Sequence, residues 1–153
     1  MNSQWTPKET QLLKELKGQE QLCIQKYSRG AQCAADGQLK GLFSRIAQIE
    51  QEHFDTLTQM ENGTIPQPPQ GGGEALPTFT EIYTMSDSPD KQNDCYLCTD
   101  ALATEKHASG LYDTCVFEFK DENARKVLNH IQGEEQGHGK MIYDYMKANH
   151  MYS

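Results

Sequence analysis

Two stretches of this chain, 85 residues apart, carry the same unusual set of polar residues. Glu20, Tyr27, Glu50 and His53 recur at that one interval as Glu105, Tyr112, Glu135 and His138. Other positions agree at the same offset: Leu12 with Leu97, Asp36 with Asp121, Ile46 with Ile131 and Gln51 with Gln136. Lys40/Arg125, Leu42/Val127, Phe43/Leu128 and Leu57/Ile142 are conservative pairs. An internal repeat constrains the whole fold, because each copy must build the same unit and the copies must pack on one another. The unit here is a helical hairpin, written twice.

The punctuation supports four helices, predicted over about 7–35, 38–62, 94–120 and 121–149. Thr6-Pro7-Lys8-Glu9 combines a capping threonine, a proline suited to the first helical position and a glutamate that completes a capping box. The apolar stripe that follows is Leu13, Leu16, Ile24, Tyr27, Ala31 and Ala34, with Glu20 in its one gap. Asp36-Gly37 and Asn62-Gly63 end the first two helices. The second stripe runs through Leu39, Leu42, Phe43, Ile46, Ile49, Glu50, His53, Leu57 and Met60. The third is Cys98, Leu102, Glu105, Ala108, Tyr112, Cys115, Val116 and Phe119. The fourth is Leu128, Ile131, Glu135, His138, Ile142 and Tyr145, with Asp121 as its cap. Between the hairpins, 63–93 contains Pro66, Pro68 and Pro69, Gly71 to Gly73 and Ser88-Pro89, and reads as a connection without a long helix.

Short joints make each hairpin antiparallel. A helix of about 25 residues is ~37 Å long, a span that the middle segment can cover. The expected architecture is therefore all-α: a ferritin-like antiparallel four-helix bundle of two hairpins joined by one long crossover, as a single domain over 1–153.

Glu-x-x-His places both side chains on one helix face. In both copies that face is otherwise apolar, so the pairs should point inward. An ionised carboxylate in a core costs several kcal/mol unless it is compensated. Four at one level would repel one another and take up protons in the absence of cations. Two divalent ions would cancel their charge, with one imidazole for each ion. The predicted ligands are thus Glu20, Glu50, His53, Glu105, Glu135 and His138. An oxygen-rich set with one imidazole per metal favours iron, or manganese, over thiolate-loving ions; zinc could also occupy it. The competing reading is a set of solvated surface carboxylates. Glu134, four residues before His138, competes with Glu135, and the repeat register selects Glu135. Glu52 falls off the stripe and should be solvated. Tyr27 and Tyr112, about two turns beyond Glu20 and Glu105, are either core tyrosines or donors to the metal-binding carboxylates.

Gly133, Gly137 and Gly139 surround the second motif, where the first has Gln48, Glu52 and Phe54. They would allow close helix approach, a bulge or movement of His138, or would be a local weakness. The two halves are accordingly expected to differ, with access biased toward helix four.

The net charge of −8 argues against nucleic acid and anionic membranes as partners. No run of 18 apolar residues is present, so no membrane-spanning helix is expected. The first residues lack a basic region followed by an apolar stretch, which points to the cytoplasm by default. Five cysteines do not form a closed disulfide framework. Cys23, Cys33 and Cys115 read as buried or half-buried small residues. Cys95 and Cys98, taken to lie in the first turn of helix three, are either a redox or crosslinking pair or two ordinary cysteines.

At these residues the chain resembles the ferritin-like superfamily, and within it the Coat F family of spore coat proteins from endospore-forming bacteria. Glu20, Gln21 and Tyr27 carry the resemblance, with Leu39 to Phe43, Ile46, Ala47 and Glu50 to Phe54. The second half repeats them in Glu105, Tyr112, Glu135, Gln136 and His138. The superfamily resemblance implies a di-iron or di-manganese protein that oxidises Fe(II), or reduces or disproportionates peroxide. It makes the six Glu and His residues ligands, with Tyr27 and Tyr112 bonded to them. O2 or peroxide would be the substrate, and an external reductant would be needed, because the four-cysteine electron-transfer domain of rubrerythrin relatives is not in this sequence. The Coat F resemblance implies instead a coat component in the spore coat, with coat proteins as partners. There the metal site would be structural or vestigial, and a tail surface with Tyr143, Tyr145 and Tyr152 would make contacts. Self-association as a homodimer is left open.

Overall fold

The computed structural model describes residues 4–68 and 76–152. Four helices account for most of them: α1 (Pro7–Cys33), α2 (Gly37–Glu61), α3 (Pro89–Glu118) and α4 (Glu122–Ala148). The Thr6 and Asp121 caps are as expected, and Asp36, read as the end of the first helix, also caps the second. The Thr6 hydroxyl accepts from Glu9 N while the Glu9 carboxylate accepts from Thr6 N. Asp36 accepts from Leu39 N, and Asp121 from Asn123 N and Ala124 N. The third start falls earlier than Asp94. Ser88 caps α3 by accepting from Lys91 N, with Pro89 in the first turn. Ser88-Pro89 is thus a helix start of the ordinary kind, and the crossover is correspondingly shorter than 63–93.

The corners set the directions. α1 rises to the 34–36 corner and α2 descends from it. α3 starts beside that same corner, where Asn93 Nδ2 donates to Cys33 O, and descends. α4 then rises until the Tyr145 hydroxyl donates to Asp36 at 2.8 Å. α1 packs on α2 and α3, and α4 packs on α3 and α2, so every neighbour in the square is antiparallel. The diagonal pair α2 and α3 runs parallel and needs the long crossover. Its described parts hold no helix or strand and are pinned at both ends. Ile65 packs into the lower core. Higher up, Asn149 Oδ1 accepts from Ile82 N and Tyr83 N, and Phe79 sets its ring edge-on to Tyr145. The Gly71 to Gly73 run lies outside the described residues.

The inward faces differ in detail from the predicted stripes. On α1 the buried positions are Glu9, Leu13, Leu16, Glu20, Cys23, Tyr27 and Gly30, with Ala34 just beyond, whereas Ile24 is half-buried. Gly30 is where Phe43 of α2 comes closest. A Cβ there would sit 2.9 Å from Phe43 Cδ2, and that ring already packs on Tyr27. Gly30→Ala should therefore lower the melting temperature, because overpacking costs about 1–3 kcal/mol against about 1 kcal/mol gained in helix propensity. Gly18→Ala, whose Cβ meets nothing within 4 Å, should raise it. Thermal melts of both variants check the pair, and a Gly30→Ala protein melting above wild type would refute the contact.

The apolar core is in two pieces. An upper cluster gathers Tyr27, Phe43, Ile46, Cys98, Ile142 and Tyr145. A lower one gathers Leu13, Leu16, Leu57, Tyr112, Phe119, Leu128 and Ile131, closed by Trp5, whose indole N–H donates to Met60 O at 2.7 Å. Between the clusters lies a layer of buried polar side chains.

Candidate metal centre

That layer consists of Glu20 from α1, Glu50 and His53 from α2, Glu105 from α3, and Glu135 and His138 from α4. None is more than 3% exposed. All six predicted ligands are therefore brought together, and the reading as solvated surface carboxylates is wrong for every one of them. Glu52 is exposed as expected.

The donors form two overlapping groups, each with its ligand atoms within 4.8 Å of one another: Glu20, Glu50, His53 and Glu135, and Glu50, Glu105, Glu135 and His138. Glu50 and Glu135 belong to both. Glu20 with His53, and Glu105 with His138, belong to one group each. Both imidazoles turn Nδ1 toward the carboxylates. His53 Nδ1 lies 2.8 Å from Glu50 Oε1 and 3.0 Å from Glu135 Oε1, and His138 Nδ1 lies 3.3 Å from Glu105 Oε2. The rings stack 6.1 Å apart. The 85-residue repeat thus appears as a pseudo-twofold exchange of α1–α2 with α3–α4.

The tyrosines follow the exchange crosswise. The Tyr27 hydroxyl donates to Glu105 Oε2, and the Tyr112 hydroxyl to Glu20 Oε2. Burial, and then the charge of the acceptor carboxylate, pushes both phenols well above their ordinary pKa. They stay protonated and serve as donors.

Does this set fit metal ions? Among the described residues, Glu20 Oε1, Glu50 Oε2, Glu105 Oε1, both Glu135 oxygens and both His138 nitrogens are buried with no hydrogen-bond partner. Orphaned polar atoms of this kind are costly, and all but His138 Nε2 belong to side chains whose ligand atoms gather in the two groups. Without cations the charge is managed by protons. Burial raises Glu20 to about 7, and burial beside the Glu105 carboxylate raises Glu135 much further. Burial also opposes ionisation of Glu50, but the hydrogen bond from His53, the neighbouring Glu135 carboxyl and the nearby imidazoles overcome it and lower the group to about 2. Burial disfavours charge on His53 too, yet Glu134, Glu135, Glu20 and Glu50 hold it protonated. Divalent ions could replace those protons on the same atoms, so the donor set fits them.

Glu134 was missed as a functional residue. Its side chain is 40% exposed, yet its Oε1 lies 2.8 Å from His53 Nε2. It reaches across from α4 to hold the back of the α2 imidazole. Its place four residues before His138 suggested a rival ligand, and no local signal shows the cross-helix contact. The glycines near the second motif do not mark close packing. A Cβ at Gly133 or Gly137 would meet nothing within 4 Å, and one at Gly139 only Leu102 Cδ2 at 3.9 Å. The helix is also unbroken through them, so there is no bulge. Gly139 instead lines a cavity of about 530 Å³ between α3 and α4 that reaches Glu105 and Glu135.

Three other expectations need correction. Cys33 is exposed, while Cys23 and Cys115 are buried. Cys95 and Cys98 lie beyond the first turn of α3, because that helix starts at Pro89. The Cys98 thiol is raised by burial and by Asp94, the opposite of activation by a helix N-terminus. Tyr145 is fully buried and bonded to Asp36, so only Tyr143 and Tyr152 remain on the surface, where their rings pack 4.3 Å apart.

Fold and site together define a ferritin-like four-helix protein with a candidate di-metal carboxylate centre. Residues 93–153 match the Coat F domain. The structure is similar to a two-domain protein from Anabaena variabilis that contains DJ-1/ThiJ/PfpI-like and ferritin-like domains, with a TM-score of 0.67 and 15% identity over 91% of this chain. This chain spans 36% of that protein. No curated protein matches the sequence. Among the described residues, no helix is long and apolar enough to cross a membrane.

Proposed function

We propose that this protein binds two metal ions, preferably iron, with manganese or zinc as substitutes, and acts as an oxidase or peroxidase on O2 or peroxide. The observation that carries the reading is the layer of four buried carboxylates and two imidazoles with converging unpartnered atoms. Glu20 and His53 would hold one ion and Glu105 and His138 the other, with Glu50 and Glu135 available to both. The bound pair would supply electrons two at a time to O2 or peroxide. The residues around it supply the rest. Tyr27 and Tyr112 orient Glu105 and Glu20 by donating to them, Glu134 fixes His53, and the two apolar clusters exclude water above and below. The cavity between α3 and α4 offers a route in, and electrons would come from an external reductant.

The test is metal content followed by turnover. Protein purified without added metal should take up about two ions per chain, shown by elemental analysis and anomalous diffraction at the iron and manganese edges. The Fe(II) form should consume peroxide or O2, and Glu50→Ala should abolish that consumption. Unchanged turnover in the variant would remove the catalytic assignment.

The Coat F match over 93–153 favours a second reading. The protein would be a spore coat component with a structural metal site, meeting coat proteins through exposed surface near Tyr143 and Tyr152. Deleting the final residues should then impair coat assembly without altering metal content, whereas normal assembly would count against that surface. The two readings place the protein in the cytoplasm or in the coat, respectively.

A further inference from the structure

The six-residue layer obeys the pseudo-twofold exchange, but the groups behind the two imidazoles do not. His53 Nε2 is 2.8 Å from Glu134 Oε1. Among the described residues, His138 Nε2 is buried with no partner. The repeat shows why. The position 85 residues before Glu134 is Ile49, an apolar side chain that lines, with His138, Met141, Arg45, Glu52 and Glu134, a cavity of about 240 Å³; none of these charged groups is a hydrogen-bond partner of His138 Nε2. One half of the repeat has a carboxylate where the other half has a hydrocarbon.

We infer that Glu134 is a positioning residue that makes the two metal positions unequal, a tight one at Glu20 and His53 and a weaker, exchangeable one at Glu105 and His138. The inference rests on the di-metal reading above. A ligating imidazole with its second nitrogen bonded to a carboxylate has one tautomer and one ring orientation fixed, and is the more basic ligand. Glu134 does this for His53, whose Nδ1 already faces Glu50 and Glu135. His138 has its Nδ1 facing Glu105 and no such support, so the ion it meets loses part of the orienting energy. The shared residues Glu50 and Glu135 are common to both groups and cannot create the difference.

Calorimetric titration of the metal-free full chain with Mn(II) tests this. Two steps of one ion each are expected, separated by about 10–100-fold in affinity, the range in which removing an outer partner of a ligand usually acts. At one equivalent, anomalous diffraction should place the ion beside Glu20 and His53. Glu134→Ile should weaken the tight step toward the other, and Glu134→Gln, which keeps an acceptor oxygen, should restore much of the split. Ile49→Glu, on the opposite helix, should tighten the weaker step and supply the missing partner of His138. It also tests the idea if Glu134→Ile folds poorly. Two equal steps in wild type, or a split unchanged in Glu134→Ile, would overturn the inference while leaving a di-metal protein. No uptake of Mn(II) or Fe(II) by wild type would overturn the underlying reading and this inference with it.

Discussion

Glu135→Leu is expected to make the metal-free protein more stable and, on the proposed di-metal reading, to abolish uptake of two ions. Glu135 is fully buried, and neither of its oxygens finds a hydrogen-bond partner among the described residues. Burial and the neighbouring Glu105 carboxyl keep it protonated far above the usual carboxylate range. A neutral carboxyl with orphaned oxygens in a core costs about 1–3 kcal/mol, and replacing buried polar groups by hydrocarbon of similar volume is often stabilising by about 1–4 kcal/mol. His53 keeps Glu134 and Glu50 as partners, so the substitution strands no charge. Denaturant melts in chelator should show a gain of about 1–3 kcal/mol. In excess Mn(II) the order should reverse, since ligand binding to the native state stabilises wild type by RT ln(1 + [L]/Kd), about 2.7 kcal/mol at a hundredfold excess over Kd. A Glu135→Leu protein less stable than wild type in chelator would mean that the carboxylate holds the bundle together by itself.

That reversal is what a site selected for metal should show, and the same logic explains which residues could be found in the sequence. A charged residue on an apolar stripe is anomalous by itself, and Glu20, Glu50, Glu105 and Glu135 are anomalous at one interval. The number of helices follows from caps and glycines that act within a few residues. Ser88-Pro89 shows the same local chemistry and was masked by the prolines and glycines before it. What escaped depends on contacts between helices. Glu134 looks like any exposed acid on α4 until α2 brings His53 to it. Gly30 becomes necessary only because Phe43 crosses there. Ile24 and Cys23 both lie near the predicted face, and only the packing angle decides that the cysteine goes in.

The second large effect is expected at Asp94, and it too follows from the repeat. Glu9 and Asp94 are 85 residues apart, as are Ala35 and Lys120. Glu9 Oε2 accepts from Lys120 N at 3.0 Å, and Asp94 Oδ1 accepts from Ala35 N at 2.8 Å. Each hairpin thus carries a buried acid near the start of its first helix that ties down the corner of the other hairpin. Asp94 carries more of this load. It is fully buried, its Oδ2 also accepts from Asp36 N and from the Tyr83 hydroxyl, and the latter contact holds the end of the crossover. Asp94→Ala would leave two backbone N–H groups and a phenol without their acceptor. These donors are part-buried, so the low end of about 1–3 kcal/mol per group left unsatisfied applies, and the loss should be about 3 kcal/mol, or on the order of 10 °C in Tm for a chain of this size. Glu9→Ala, which loses one cross-hairpin bond and one cap, should cost roughly half as much. Metal stoichiometry should remain two per chain in both variants below their melting temperatures, because neither acid belongs to the polar layer. An Asp94→Ala protein as stable as wild type would show that the hairpins are held by the two apolar clusters alone, with the corner tie contributing nothing.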